Sequence, residues 1–315
     1  MKKNIFLILI AAVILSGCQN KIAAPDGKLQ VAASFYPLYF FANQIGGDKA
    51  EVINITPAGS EPHDYEPTAQ DMAKIEQSRI LILNGLGLEA WADNIQKNID
   101  PQKTSVVLGG MGMDQVCSID LKLYPLPLTE KQKENICQRQ TDPHIWIAPF
   151  MATNIVQNIL DGFVKVDPAN AEYYQTNAAA LKNKLIALDS EYQNGLANCQ
   201  LKTFITSHNA FGYLAQIYGL RQIAIAGLSP DAEPSSAQLI DVAKTAKAEN
   251  IKYIFFESLA SPKLSQTIAA EVGAQTLILD PIEGLTKDEI AAGDNYFTVE
   301  ENNLKNLQIA LQCQK

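Results

Sequence analysis

The amino-acid sequence predicts an α/β protein: two β/α lobes with parallel-sheet cores, joined by one long rigid helix. Three observations carry this. Short apolar runs alternate with helical segments from residue 29 to about 108, and again from residue 200 onward. That is the pattern of strands buried on both faces beneath crossover helices. Between the two alternations, Tyr174, Ala178, Leu181, Leu185, Leu188, Tyr192 and Leu196 recur at steps of three or four, which marks one helical stripe. Finally, 315 residues that are 47% hydrophobic and 19% charged are enough for two cored domains and lack the composition of a disordered chain.

The elements follow in order. Lys2 and Lys3 precede an apolar stretch, Ile5 to Leu15, that is shorter than the roughly 20 residues a membrane span requires. It reads as a secretory signal peptide, residues 1–17. Leu15-Ser16-Gly17-Cys18 resembles the lipobox of bacterial lipoproteins, which implies cleavage before Cys18 and acylation of its sulfur. Residues 18–28 then form a lipidated tether, held stably in the membrane when two or more acyl chains are present. An N-terminal lobe spans 29–166. In it LQVAASF, AEVINIT, RILILNG and TSVVLGG read as strands, and PLYFFANQIGG, DMAKIEQS and WADNIQKNI as helices. Residues 112–141 are loop-like, with Pro125 and Pro127 between Cys117 and Cys137.

Asp167-Pro168 opens the connecting helix, placed at 167–199, with a capping residue before a first-turn proline. Unbroken from 168 to 196 it would be about 43 Å long, a stiff connector packed along both lobes. A C-terminal lobe, 200–315, repeats the alternation with strands KTFITS, RQIAIAG, KYIFFES and TLILDP. Two such lobes leave a cleft between them, where ligands bind beyond the carboxyl ends of strands.

Composition narrows the function. Lys and Arg number 25 against 34 Asp and Glu, for a net charge of -9 and no basic run, which argues against nucleic acid as a partner. Five cysteines and three histidines are too few for a zinc ribbon or a cysteine-rich metal fold. With Cys18 lipidated, an even set remains in an oxidising compartment: Cys117, Cys137, Cys199 and Cys313. Of the three possible pairings, proximity favours Cys117–Cys137 and so leaves Cys199–Cys313; four buried thiols are the alternative.

Each histidine stands at a strand-to-loop junction: His63 in TPAGSEPHDYEPT, His144 in TDPHIWIAP and His208 after TFITS. Imidazole is the commonest metal ligand, and three so placed point to a metal site. Asp280, which ends TLILD before Pro281, is a fourth candidate ligand or else a turn cap. Glu257, which ends YIFFE, is a candidate partner for a ligating imidazole, with ligand or cap as its other readings. Glu61 and Asp64 flank His63 as solvated loop charges.

Taken together, these motifs resemble the solute-binding lipoproteins of zinc- and manganese-importing ABC transporters. The resemblance runs from about residue 29 to the C-terminus. It rests on PAGSEPHDYEPT (57–68), NGLGLEAW (84–91), DPHIWIAP (142–149), SHNAFGYLAQIYGL (207–220), GLSPDAEPSS (227–236), IFFE (254–257) and LDP (279–281), in that order behind the lipobox. It implies metal ligands at His63, His144, His208 and Asp280, two from each lobe across the cleft. It also implies a monomeric receptor in the bacterial cell envelope, anchored through Cys18 and facing the extracytoplasmic or periplasmic side. Its partners would be an ABC permease and its ATPase. Many zinc members carry a His- and acid-rich loop in the N-terminal lobe; here 112–141 holds no histidine, so no auxiliary metal-collecting site of that type is expected.

Three imidazoles and one carboxylate suit four-coordinate Zn²⁺, whereas Mn²⁺ prefers more oxygen ligands. The resemblance places His or Glu at the third ligand, Glu being typical of manganese receptors, so His208 favours Zn²⁺ as the transported ligand, with Mn²⁺ the alternative. A zinc metallohydrolase is the competing class, with Glu257 or Glu61 as base, but no HExxH helix is present. An adhesin is a third class, secondary here because no adhesive repeat occurs.

Overall fold

The structure is a computed structural model, and it describes residues 27–111 and 142–314. The signal peptide, Cys18, most of the tether and the Cys117–Cys137 pair lie outside these residues.

The N-terminal lobe comprises β1 (Leu29–Ala33), α1 (Tyr36–Gly46), β2 (Ala50–Asn54), α2 (Ala69–Gln77), β3 (Ile80–Leu83), α3 (Ala92–Asn98) and β4 (Ser105–Leu108). Its sheet is parallel with order β2-β1-β3-β4. Local chemistry sets the helix ends. Pro37 opens α1, and Gly47, at φ 46°, closes it in a conformation that L side chains resist. A reciprocal capping box between Thr68 and Asp71 starts α2.

A long helix α4 (Pro149–Val166) follows the apolar run after His144, extending well past what that run alone indicates. Pro168–Asn170 forms a single 3₁₀ turn, and α5 (Ala171–Leu196) begins only after it. Asp167 sets this delayed start by accepting hydrogen bonds from Asn170 Nδ2 and Tyr174 Oη, each at 2.7 Å. The buried face of α5 contains every residue of the predicted stripe, plus Asp189.

The C-terminal lobe comprises β5 (Thr203–Thr206), α6 (Gly212–Ile217), β6 (Arg221–Ala224), α7 (Ser236–Ala248), β7 (Tyr253–Phe256), α8 (Lys263–Val272), β8 (Gln275–Ile278), α9 (Lys287–Ala292) and α10 (Tyr296–Ala310). Its parallel sheet has order β6-β5-β7-β8, the same winding as the first. Cys199 and Cys313 form a disulfide that ties the end of the connector to the C-terminal segment.

Alternation along each strand divides the apolar residues between two faces. In the N-terminal sheet, Ala32, Leu81 and Leu83 pack outward with Ile75 of α2 and Ile95 of α3. In the C-terminal sheet, Ile205 and Ile254 pack outward with Val242 of α7 and Ile268 of α8. The opposite faces, through Val31, Ile80, Phe204 and Phe255, merge with α1, α4, α5 and α10 into one core shared by both lobes. The lobes are therefore joined by more than the helix. Trp146 Nε1 donates to Pro281 O at 2.7 Å, Tyr296 Oη donates to Trp146 O at 2.6 Å, and the Phe40 and Tyr296 rings stack. This shared floor leaves the ligand-bearing loops to converge at one end, beyond the carboxyl ends of the strands.

Candidate metal centre

His63 lies in the loop after β2, an edge strand; His144 opens the 3₁₀ turn Ile145–Ile147 before α4; His208 follows β5. The structure brings all three together with Glu283, from the turn after β8. His144 Nε2 lies 3.2 Å from His63 Nε2 and 3.4 Å from His208 Nε2. Glu283 Oε1 lies 3.3, 3.2 and 3.3 Å from the Nε2 atoms of His63, His144 and His208. A tetrahedron whose corners stand about 2.0–2.1 Å from its centre, the zinc–ligand distance, has edges of about 3.3–3.4 Å. The five spacings match that shell. Glu283 Oε1 is also buried with no hydrogen-bond donor aligned to it, although three ring nitrogens surround it. A cation at the centre satisfies all four atoms at once.

Asp280 does not join this group, which corrects the expectation that it is the fourth ligand. Its Oδ1 accepts from Ile282 N at 2.7 Å, and its Oδ2 accepts from Ser258 Oγ. With both oxygens committed to protein donors, Asp280 faces the turn and Glu283, three residues on, faces the imidazoles. Burial pushes the Asp280 carboxyl up to about 7. Sequence reading missed Glu283; its signal was an acid followed by Gly284 in the loop after the last strand.

Carboxylates orient two of the rings. His144 Nδ1 donates to Asp142 Oδ1 at 2.8 Å, and His208 Nδ1 donates to Glu257 Oε1 at 2.6 Å. A carboxylate only accepts, so each bond places the proton on Nδ1 and leaves Nε2 free as a ligand. Glu257 also accepts from Ser207 Oγ. Asp142 is a partner that sequence reading missed, though the short Asp-Pro-His spacing carried the signal. The loop NGLGLEAW acts from beneath. Glu89 accepts from Ser34 Oγ, Asn84 N and Gly85 N, and Asn84 Nδ2 donates to Pro143 O at 3.0 Å, buttressing the turn that carries His144.

Electrostatics without metal follow from this geometry. Burial pushes the His144 pKa down, but its Asp142 hydrogen bond and the charges of Asp142 and Glu283 prevail and raise it. His208 is raised well above 6.5 because the charges of Glu257 and Glu283 outweigh burial. Glu283 is held well below its usual value, the His208 charge overcoming the cost of burial. Glu61 accepts from His63 N, and burial, reinforced by the Glu283 charge, pushes it up to about 8.

Known proteins resemble this chain over nearly its whole length. Residues 31–310 match the family described as zinc-uptake complex component A, periplasmic. The chain is 39% identical to the zinc-binding lipoprotein AdcA of Streptococcus pneumoniae over 98% of its own length, and it spans 61% of that relative. It is 38% identical to the high-affinity zinc uptake system protein ZnuA of Bacillus subtilis, covering 96% of this chain and 94% of the relative. Among solved structures, the Zn(II)-bound ZnuA-like domain of S. pneumoniae AdcA superposes with a TM-score of 0.73 at 37% identity, over 90% of this chain and 99% of that one. The laminin-binding protein Lmb of Streptococcus agalactiae, described as a bifunctional adhesin and metal transporter, superposes with a TM-score of 0.75 at 31% identity, again over 90% and 99%.

Proposed function

We propose that this chain, which belongs to the periplasmic zinc-uptake component A family, is an extracytoplasmic receptor that captures Zn²⁺ between its lobes and hands it to an ABC permease driven by its ATPase. The observation that carries this reading is the spacing of His63, His144, His208 and Glu283, whose ligand atoms stand 3.2–3.4 Å apart wherever they are measured. Three nitrogens and one carboxylate oxygen form a closed tetrahedral set with no position left for a reacting water, which suits binding and not hydrolysis. A single carboxylate among the ligands is poor in oxygen for Mn²⁺, so manganese is the less favoured cargo.

Capture draws on both lobes. His63 and His144 come from the first lobe, and His208 and Glu283 from the second. His144, His208 and Glu283 are fully buried, while the His63 side chain keeps 9% exposure, so the ion reaches the site past His63. Acylation of Cys18 would hold the receptor at the membrane beside its permease. Among the described residues no helix is long and apolar enough to cross a membrane, and lipid attachment supplies the anchor in this reading.

The test is metal analysis of protein purified without added metal, followed by competition titration of zinc against a chelator. Alanine variants of His63, His144 and His208 and the Glu283→Gln variant should each weaken zinc binding. Wild-type affinity in all four would sink the site. Mass spectrometry of the mature N-terminus in a bacterial host tests the lipid on Cys18.

A further inference from the structure

The sequence marks Asp280 as a ligand, but the structure surrounds it with donors that hold a turn. Its side chain accepts from Ile282 N through Oδ1 and from Ser258 Oγ through Oδ2. Its backbone N donates to Asn303 Oδ1 at 2.8 Å, and its carbonyl accepts from Asn303 Nδ2 at 2.7 Å, so α10 grips the residue on two sides. Two residues later Ile282 adopts φ 57°. The left-handed region is unfavourable for a β-branched residue, and such a conformation persists only where its surroundings over-determine it. Here they do. The Ile282 side chain is fully buried in the shared core, its N–H is fixed by Asp280, and Pro281 O is held by Trp146 of the other lobe. The left-handed step sets the direction in which residue 283 leaves the turn.

We propose that Asp280 is a positioning residue for metal capture: it locks the strained turn at Ile282 so that Glu283 is presented to the three imidazoles. Its second oxygen extends that role. Ser258 adjoins Glu257, the residue that orients His208, so the Asp280–Ser258 bond ties the turn that carries Glu283 to the loop after β7 that braces His208. The inference rests on the ligand set proposed above and adds to it a residue that touches no metal.

A double-mutant cycle tests it, read by zinc competition titration and by Co²⁺ absorption, which reports coordination number. Asp280→Ala should weaken zinc binding about 10- to 100-fold, the cost of losing a residue that orients a ligand. Asp280→Asn should restore most of that loss, because its amide oxygen still accepts from Ile282 N. In a Glu283→Ala background, Asp280→Ala should cost little more, since a residue that acts through Glu283 has nothing left to position. Equal losses in both backgrounds would overturn the proposal. So would wild-type affinity in Asp280→Ala, or an Asp280→Asn variant as weak as Asp280→Ala with one ligand fewer to Co²⁺, which would make Asp280 a ligand. If Asp280→Ala does not fold, Ser258→Ala, which frees Oδ2 alone, enters the same cycle with a smaller loss and the same criterion of non-additivity. Wild-type zinc affinity in Glu283→Ala alone would count against the ligand set and would leave the turn argument to be judged by the Co²⁺ spectra of the Asp280 variants.

Discussion

The two lobes wind their sheets in the same order, yet they hold their halves of the site differently. In the first lobe the two ligands are braced unequally, for the turn of His144 is also held by Asn84 Nδ2 at Pro143 O and by Tyr213 Oη at Asp142 O. His144 leans on Asp142 two residues away, and His63 rides a proline-rich loop whose backbone meets the other lobe through one bond, Gly59 N to Leu285 O at 3.0 Å. In the second lobe the support crosses strands. His208 after β5 is held by Glu257 after β7, and the turn after β8 is gripped by Asn303 of α10 and by Ser258. The Cys199–Cys313 bond closes this lobe at its base. The second lobe thus presents a cross-braced wall, and the His63 loop is the more lightly braced part of the site. A receptor of the kind proposed above, which buries an ion and then releases it, can keep most of its ligands fixed and let the His63 loop yield.

Removing the disulfide is the largest single perturbation of that wall. The bond spans 114 residues, and a loop of this length contributes about 4–5 kcal/mol in the chain-entropy model. Cys199→Ser with Cys313→Ser should lower the denaturant midpoint by a corresponding amount while zinc affinity of the folded protein changes little. A large loss of affinity at unchanged stability would show that the base of the lobe is coupled to the site.

Next in size is the contrast between His208→Ala and His63→Ala. Without His208 the site loses a fully buried nitrogen ligand that Glu257 holds in orientation, a loss of about 100-fold in zinc affinity, while Glu257, left with Ser207 Oγ as donor, lowers folding stability. His63→Ala strands no such orienting carboxylate and opens a position that water can fill, so its loss should be the smaller. Equal losses in competition titrations would mean that the two walls are equally stiff.

Acid should act on both lobes. In the metal-free protein the carboxylates around them hold His144 and His208 above the usual imidazole value, so zinc competes with protons for these rings and its affinity should fall as pH is lowered. Calorimetry in buffers of different ionisation enthalpy at pH 7 counts those protons, and a count of zero would contradict the raised values. The stability trend has the opposite sign. Stabilisation from a raised histidine pKa is fully present below the unfolded value of about 6.5 and is lost as pH rises through the folded value. The metal-free protein should therefore lose this contribution on going alkaline, whereas the zinc-loaded protein loses its metal on going acid.

The smallest expected effect concerns selectivity. His208→Glu exchanges a nitrogen for an oxygen, so zinc affinity should drop and the gap to manganese should narrow, with a higher coordination number by X-ray absorption. An unchanged zinc-to-manganese ratio would assign selectivity to the fit between the lobes.

By itself, the sequence determined the alternation of strands and helices, the apolar stripe of the connector and the three imidazoles. Each of these is a local signal, carried by periodicity, by capping residues such as Asp167, or by the scarcity of histidine in the chain. The start of α5 shifted from 168 to 171 because a 3₁₀ turn intervenes at Pro168–Asn170, which helical spacing cannot register. Only the tertiary structure decided the rest. Glu257 reaches His208 because β7 lies beside β5, an adjacency between residues 49 apart in sequence. Sequence reading chose Asp280 and passed over Glu283, because both acids occupy one turn and only its backbone path separates them. A left-handed Ile282, sustained by a buried core and a clamp from α10, leaves one carboxylate facing protein donors and the other facing the three imidazoles.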